Sequence, residues 1–120
     1  MPIVAITPRA LALFTGSERM FYHPLFRSIN YTEGVKYVSD NEAAWLVTDI
    51  LAVVTGLPKV KREEFVVAEL VVHADKSATV TYTDGNEKKL HKQDYPITNF
   101  PLSDIKFFIT DNVMMLPSEY

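Results

Sequence analysis

Asp49, Trp45 and His23 are the residues of this chain whose types and spacing could do chemistry. Asp49 lies in "AAWLVTDILAVVTG" (residues 43–56), where ten of fourteen residues are apolar, and Trp45 stands one helical turn before it. A carboxylate in such company can act as an acid or base, pin the fold through a hydrogen bond, or face a partner along a wet stripe. At about 100° per residue, a helix sets Glu42 about 20° from Asp49 and Trp45 about 40° to the other side. Asn41 and Thr48 fall within about 100° of it, on that same side. Ala43, Ala44, Val47, Ile50, Leu51 and Val54 take the opposite half-turn. Asp49 is therefore expected on a polar stripe, and the residue out of place there is Trp45.

Two arrangements satisfy that stripe. The aromatic segment 17–31 can fold over Trp45 while Asp49 accepts a hydrogen bond from a backbone N–H, a tyrosine or an arginine such as Arg27. Otherwise Trp45 and Asp49 face a partner or ligand, a setting in which tryptophan is enriched. Together with Tyr22, His23 and Phe26 they form the expected binding patch. A rival reading pairs His23 with Asp49 beside Trp45 for acid–base work, which requires the two within about 3 Å.

Other chemistries lack their residues. With no cysteine there is no disulfide and no thiolate metal site. His23, His73 and His91 match no ligand spacing, and His73 and Glu69 on one strand would sit about 13 Å apart, too far to share an ion. There is no G-x-S-x-G elbow, and the four glycines are unclustered, so no phosphate loop exists. No catalytic residue, cofactor or metal is expected. The basic runs "KVKRE" (Lys59, Lys61, Arg62) and "KKLHK" (Lys88, Lys89, Lys92) could form a phosphate-binding stripe if they lie side by side. Glu63, Glu64, Glu87 and Asp94 interrupt them and no aromatic is interleaved, so a solvated face is expected rather than a nucleic-acid site. The net charge of −3 agrees.

The elements that must position these residues read as one α+β domain, residues 1–120, with N-terminal helices packed on a mostly antiparallel sheet of about five strands. Thr7-Pro8 starts a short helix that Gly16 closes. Segment 17–31 has no clean period and is expected to be irregular or a short strand. Thr32 caps a short helix through Val38. Ser39 and Glu42 then form a capping box for the main helix, Asp40 to Thr55, which Gly56 and Pro58 stop. Beyond it the period becomes 2. Val66, Ala68, Leu70 and Val72 share one face, as do Ala78, Val80 and Tyr82. Asp75-Lys76 and Asp84-Gly85 mark turns, "EKKLHKQDY" suits a polar edge, and "DIKFFIT" pairs with "VMMLP" through Asp111-Asn112.

The outer parity of "EFVVAELVV" carries Phe65, Val67 and Val71, which is apolar for a free sheet face. Either the N-terminal segment or another chain covers it, and a homo-oligomer is one expectation. The N-terminal run "MPIVAITPRALALFTG" lacks the basic region and cleavage site of a signal peptide, and no stretch approaches the ~18 apolar residues of a membrane span. A cytoplasmic protein with no membrane partner is expected.

"FTG" (14–16), "HPL" (23–25), "YTEGVKY" (31–37), "WLVTDI" (45–50), "DGN" (84–86), "FPL" (100–102) and "LPSEY" (116–120) occur in this order. Together they resemble a family of small bacterial, plasmid and phage proteins without an assigned activity. That resemblance implies a small cytosolic protein carried on mobile elements, brings no catalytic residue, and sets Trp45 and Asp49 inside a motif-like stretch. The expectation is a non-enzymatic interaction protein binding a host macromolecule. Its alternative is a small ligand-binding domain or enzyme using Asp49 and His23.

Overall fold

The computed structural model describes residues 6–15, 19–86 and 88–120, and of Glu42 the backbone only. Helix α1 (Pro8–Ala12) begins as its sequence implies, with Thr7 Oγ1 accepting from the Ala10 N–H at 3.1 Å. The stop expected at Gly16 lies outside the described residues. Strands β1 (Phe21–His23) and β2 (Phe26–Tyr31) form a hairpin, followed by α2 (Glu33–Val38), a π turn (Ser39–Ala43), α3 (Ala44–Gly56) and α4 (Pro58–Lys61). Strands β3 (Phe65–Val72), β4 (Ala78–Thr83), β5 (Lys89–Tyr95), β6 (Asp104–Thr110) and β7 (Val113–Met115) then precede a 3₁₀ turn at Pro117–Glu119.

All seven strands join one sheet in the order β1-β2-β7-β6-β3-β4-β5. Every neighbouring pair is antiparallel except β2 and β7, whose short parallel ladder pairs Asn30 with Val113 and Tyr31 with Met114. Val66, Ala68 and Leu70 of β3 share the inner face with Ala78, Val80 and Tyr82 of β4 and with Ile105, Phe107 and Ile109 of β6. Against them α3 buries Leu46, Val47, Ile50, Leu51, Val53 and Val54, which makes one core. Six inter-strand steps of about 4.8 Å would hold the edges of a flat sheet about 29 Å apart. Here both edges reach one turn of α3: His23 Nε2 of β1 is 3.3 Å from Thr48 Oγ1, and Tyr95 Oη of β5 is 2.9 Å from Asp49. The sheet is curled around the helix as a half-barrel.

The two ends of the described chain meet at the start of α2. Thr32, the buried polar residue of the core, caps this helix, its Oγ1 accepting from the Val35 N–H at 3.4 Å. The same hydroxyl donates to Glu119 Oε1 at 2.6 Å, while the Gly34 N–H donates to Oε2 at 3.2 Å. Glu119 also accepts from the Leu116 N–H at 3.1 Å, so one carboxylate satisfies donors at the starts of two helical turns. A Cβ on Gly34 would come within 2.5 Å of Glu119 Oε1 and 2.7 Å of Leu116 Cδ1. The helix start is bare because the carboxylate must approach it.

Several expectations change. The sheet has seven strands rather than about five, since residues 21–31, expected to be irregular or one short strand, form a two-stranded hairpin. Ser39 is itself helical (φ −59°, ψ −43°), so it closes α2 rather than starting a new helix, and the chain runs on through the π turn into α3. The Glu42 half of the expected capping box lies outside the described side chains. Pro58 does not simply end the helix: Leu57 is extended and Pro58 opens α4. The turns at Lys76 (φ 71°), Gly85 (φ 86°) and Asp111-Asn112 (φ 52° and 60°) stand where expected.

Gly34→Ala should lower stability by about 1–3 kcal/mol through overpacking against Glu119 and Leu116. Gly56→Ala, with nothing within 4 Å of the new Cβ, should leave it unchanged or raise it by up to about 1 kcal/mol. Urea midpoints of the two variants check the contrast.

Candidate functional site

A π turn holds an extra residue, which rotates everything after it by about 100° relative to the helix before. Asn41 lies within this turn, its Nδ2 donating to Tyr37 O at 2.6 Å, so it does not continue the stripe of Asp49. Within α3 the exposed residues are Ala44, which was expected inward, and Gly56 at the end, and Thr48, Ala52 and Thr55 are partly covered. Leu46 and Val53, about 60° and 40° from Asp49, are buried. Asp49 thus sits at the rim of the outward stripe and is turned toward β5.

There it meets a tyrosine, one of the three partners expected, but from β5 and not from segment 17–31. Tyr95 Oη donates to Asp49 Oδ2 at 2.9 Å, and the Tyr95 ring packs on Trp45 at 5.3 Å between centroids, inclined by 66°. Trp45, Tyr95, Ile97, Thr98 and Asn99 line a cleft of about 470 Å³, and Ile97 stands 77% exposed at its edge. Behind it, Tyr82 is fully buried and its hydroxyl has no hydrogen-bond partner among the described residues. Burial first, then the Tyr95 and Asp49 charges, hold the Tyr82 phenol far above the usual tyrosine range. Burial and the hydrogen bond to Asp49 raise Tyr95 in the same direction.

The other three residues of the expected patch lie on the opposite flank of the stripe. His23 accepts from the Leu25 N–H at Nδ1 (3.1 Å), which leaves the proton of the neutral ring on Nε2 to be donated to Thr48 Oγ1 at 3.3 Å. Its ring packs on Phe26 at 5.2 Å, and Phe26 leans on the core. Tyr22 is 55% exposed beneath the guanidinium of Arg27, 5.3 Å from the ring centroid. His23 and Asp49 do not bond to each other; each is engaged by a different neighbour. The patch is therefore two clusters on either side of Thr48.

Tyr95 is the residue that sequence reasoning passed over, whereas Tyr82 lies on the inner face as expected. Ala78 pairs with Tyr95 and Tyr82 with His91, which sets Tyr95 on the inner face, but the register shifts between Tyr82 and Thr83. Counting in twos from the buried Leu90 puts Tyr95 outside. The bulge reverses that parity, and only a bulge read from "EKKLHKQDY" could have found it.

The remaining groups take structural roles. His73 Nε2 lies 3.0 Å from Thr79 Oγ1, which donates to Asp94 at 2.8 Å across the outer sheet face. Among the described residues no three His, Asp or Glu side chains converge as a metal site. The basic runs do approach one another, with Lys88 Nζ 3.9 Å from Glu63 Oε2, so an acidic neighbour answers that lysine. Among the described residues no helix is long and apolar enough to cross a membrane.

A half-barrel sheet about one helix, bearing an aromatic cleft backed by a carboxylate, is the kind of α+β protein these residues define. The chain belongs to the family of unknown function DUF6876, which matches residues 5–120. No curated protein and no solved structure matches it.

Tyr95→Phe should cost about 1 kcal/mol by removing the hydrogen bond to Asp49, whereas Tyr82→Phe, deleting an unpartnered hydroxyl, should be neutral or stabilising. Both phenols keep their protons in the folded state where the unfolded chain loses them. Stability should therefore fall as the pH rises past about 10, since the folded state then holds more protons. Urea unfolding between pH 7 and 11, with the tyrosinate band followed alongside, checks both statements.

Proposed function

We propose that the chain is a non-enzymatic interaction protein whose contact surface is the outer face of the sheet. The observation that carries this reading is an apolar cluster on that face. Phe65 packs on Phe108 at 5.2 Å, and the Tyr120 ring, 73% exposed, stands on both at 5.5 Å. Val67 pairs with Phe108 on this face, and Val71 is 39% exposed between Thr79 and Asp104. The described N-terminal residues pack elsewhere, Phe14 against Tyr37 at 5.2 Å and Leu11 O against Ser118 Oγ at 3.2 Å. A free sheet face normally turns polar, and an apolar cluster at one end of it, bordered by Glu69 and Lys106 and then by Lys92, Asp94 and Asp104, suits a protein partner. The mobile-element association implied by the sequence resemblance makes that partner a host protein.

The alternative, a small ligand-binding domain, is favoured by the cleft at Trp45 and Tyr95. Its acid–base form loses support, because His23 and Asp49 are each bound elsewhere.

Val71→Lys places a cation opposite Asp104 and should leave the fold intact while blocking the face. Capture of a discrete host protein by the wild type, lost with Val71→Lys and kept with Ile97→Arg on the far side, is the expected result. Equal capture by all three baits would overturn the assignment of the outer face. Sedimentation at ~100 µM separates the remaining occupant: a wild-type dimer that Val71→Lys makes monomeric means the partner is a second copy.

A further inference from the structure

The geometry points to the Trp45–Tyr95 corner as a binding site for an organic cation, an alkylated ammonium group such as the head of a quaternary amine. Ring faces attract cations through their quadrupole, and Trp45 and Tyr95, packed edge to face with centroids 5.3 Å apart, both line the cleft, so a cation seated there lies beside aromatic surface. The cleft of about 470 Å³ falls within the size range of small-molecule sites. Tyr95 donates its hydroxyl proton toward Asp49 Oδ2, which enriches its ring in electron density and places a full negative charge behind it. None of the residues lining the cleft is cationic, so nothing there opposes a positive ligand.

The rest of the molecule supplies an internal comparison. Arg27 covers Tyr22 at 5.3 Å, and Arg19 and Lys36 lie over Phe21 at 5.4 and 5.2 Å. The chain thus places its own cations on aromatic faces of the N-terminal hairpin. At Trp45 and Tyr95, where a carboxylate makes the attraction strongest, no described side chain does so. An alkylated ammonium fits better than a bare one, because Trp45, Tyr95 and Ile97 offer apolar contact to its methyl groups and few acceptors for N–H donors.

This site lies on the helix side of the sheet and stands independently of the outer face. Trp45 is the sole tryptophan, so its emission reports the site directly. Titration with choline should change that emission saturably. The neutral carbon isostere 3,3-dimethylbutan-1-ol should bind about tenfold more weakly or worse, the margin expected of a cation–π contact. Asp49→Asn keeps both rings and should weaken choline severalfold. Ile97→Arg, at an exposed position that leaves the fold intact, should abolish binding by laying a tethered guanidinium over the corner. A trimethyllysine peptide forms the last arm: tighter binding than choline assigns the cation to a protein side chain, and weaker binding assigns it to a free small molecule. Equal affinity for choline and its neutral isostere would overturn the proposal, as would an emission and indole N–H resonance unmoved by choline at ~100 mM.

Discussion

Glu119 ties the start of α2 to the last turn of the chain, beside the short parallel ladder that joins β2 to β7. Its carboxylate accepts from Thr32 and Gly34 at the start of α2 and from Leu116 at the start of its own turn. A negative group at a helix N-terminus answers both the unpaired N–H groups and the positive end of the helix dipole. The contact also fixes where β7 runs, since the Thr32 N–H donates to Met114 O at 3.1 Å and Tyr31 pairs with Met114. The N-terminal hairpin joins the sheet only through that short parallel ladder. The neighbouring Tyr120 is thereby delivered to the outer face, so the interaction that seats the helix also completes the aromatic cluster there.

Curling of the sheet is the second constraint, and it explains the two-sided surroundings of α3. A helix lying on a flat sheet would have one buried stripe and a broad wet face. Here β1 and β5 rise on both flanks, narrowing the exposed stripe to Ala44, Gly56 and the partly covered Thr48, Ala52 and Thr55. Trp45 and Asp49 occupy the flank toward β5, His23 and Phe26 serve the other, and Thr48 lies between them.

Strands β3 to β7 were legible in the sequence because β3–β4, β4–β5 and β6–β7 are each joined by a local turn, and four of the five alternate about a buried inner face. The edge position of β5 followed from its lysines. The β1–β2 hairpin was not legible: of β2 only Ile29 is buried, and its other neighbour in the sheet comes from the far end of the chain. The polar setting of Asp49 was legible but its direction was not, since a π turn and a β-bulge each displace the count by one residue. Neither leaves a reliable mark in residue type. "YTEGVKY" and "LPSEY" were noted as separate segments, and the fold unites them through Glu119.

The distance along the chain between Thr32 and Glu119, 87 residues, has a kinetic meaning. Closing so long a loop costs entropy before any contact returns it, whereas β3–β4, β4–β5 and β6–β7 form between strands consecutive in the chain. The central sheet is thus the natural nucleus, and the N-terminal hairpin docks late. By the same reasoning it is the first part to detach. Residues 21–31, joined to the sheet by a two-pair ladder with only Ile29 of β2 buried, are expected to open to exchange ahead of the central strands, baring one flank of α3 while the core stays folded.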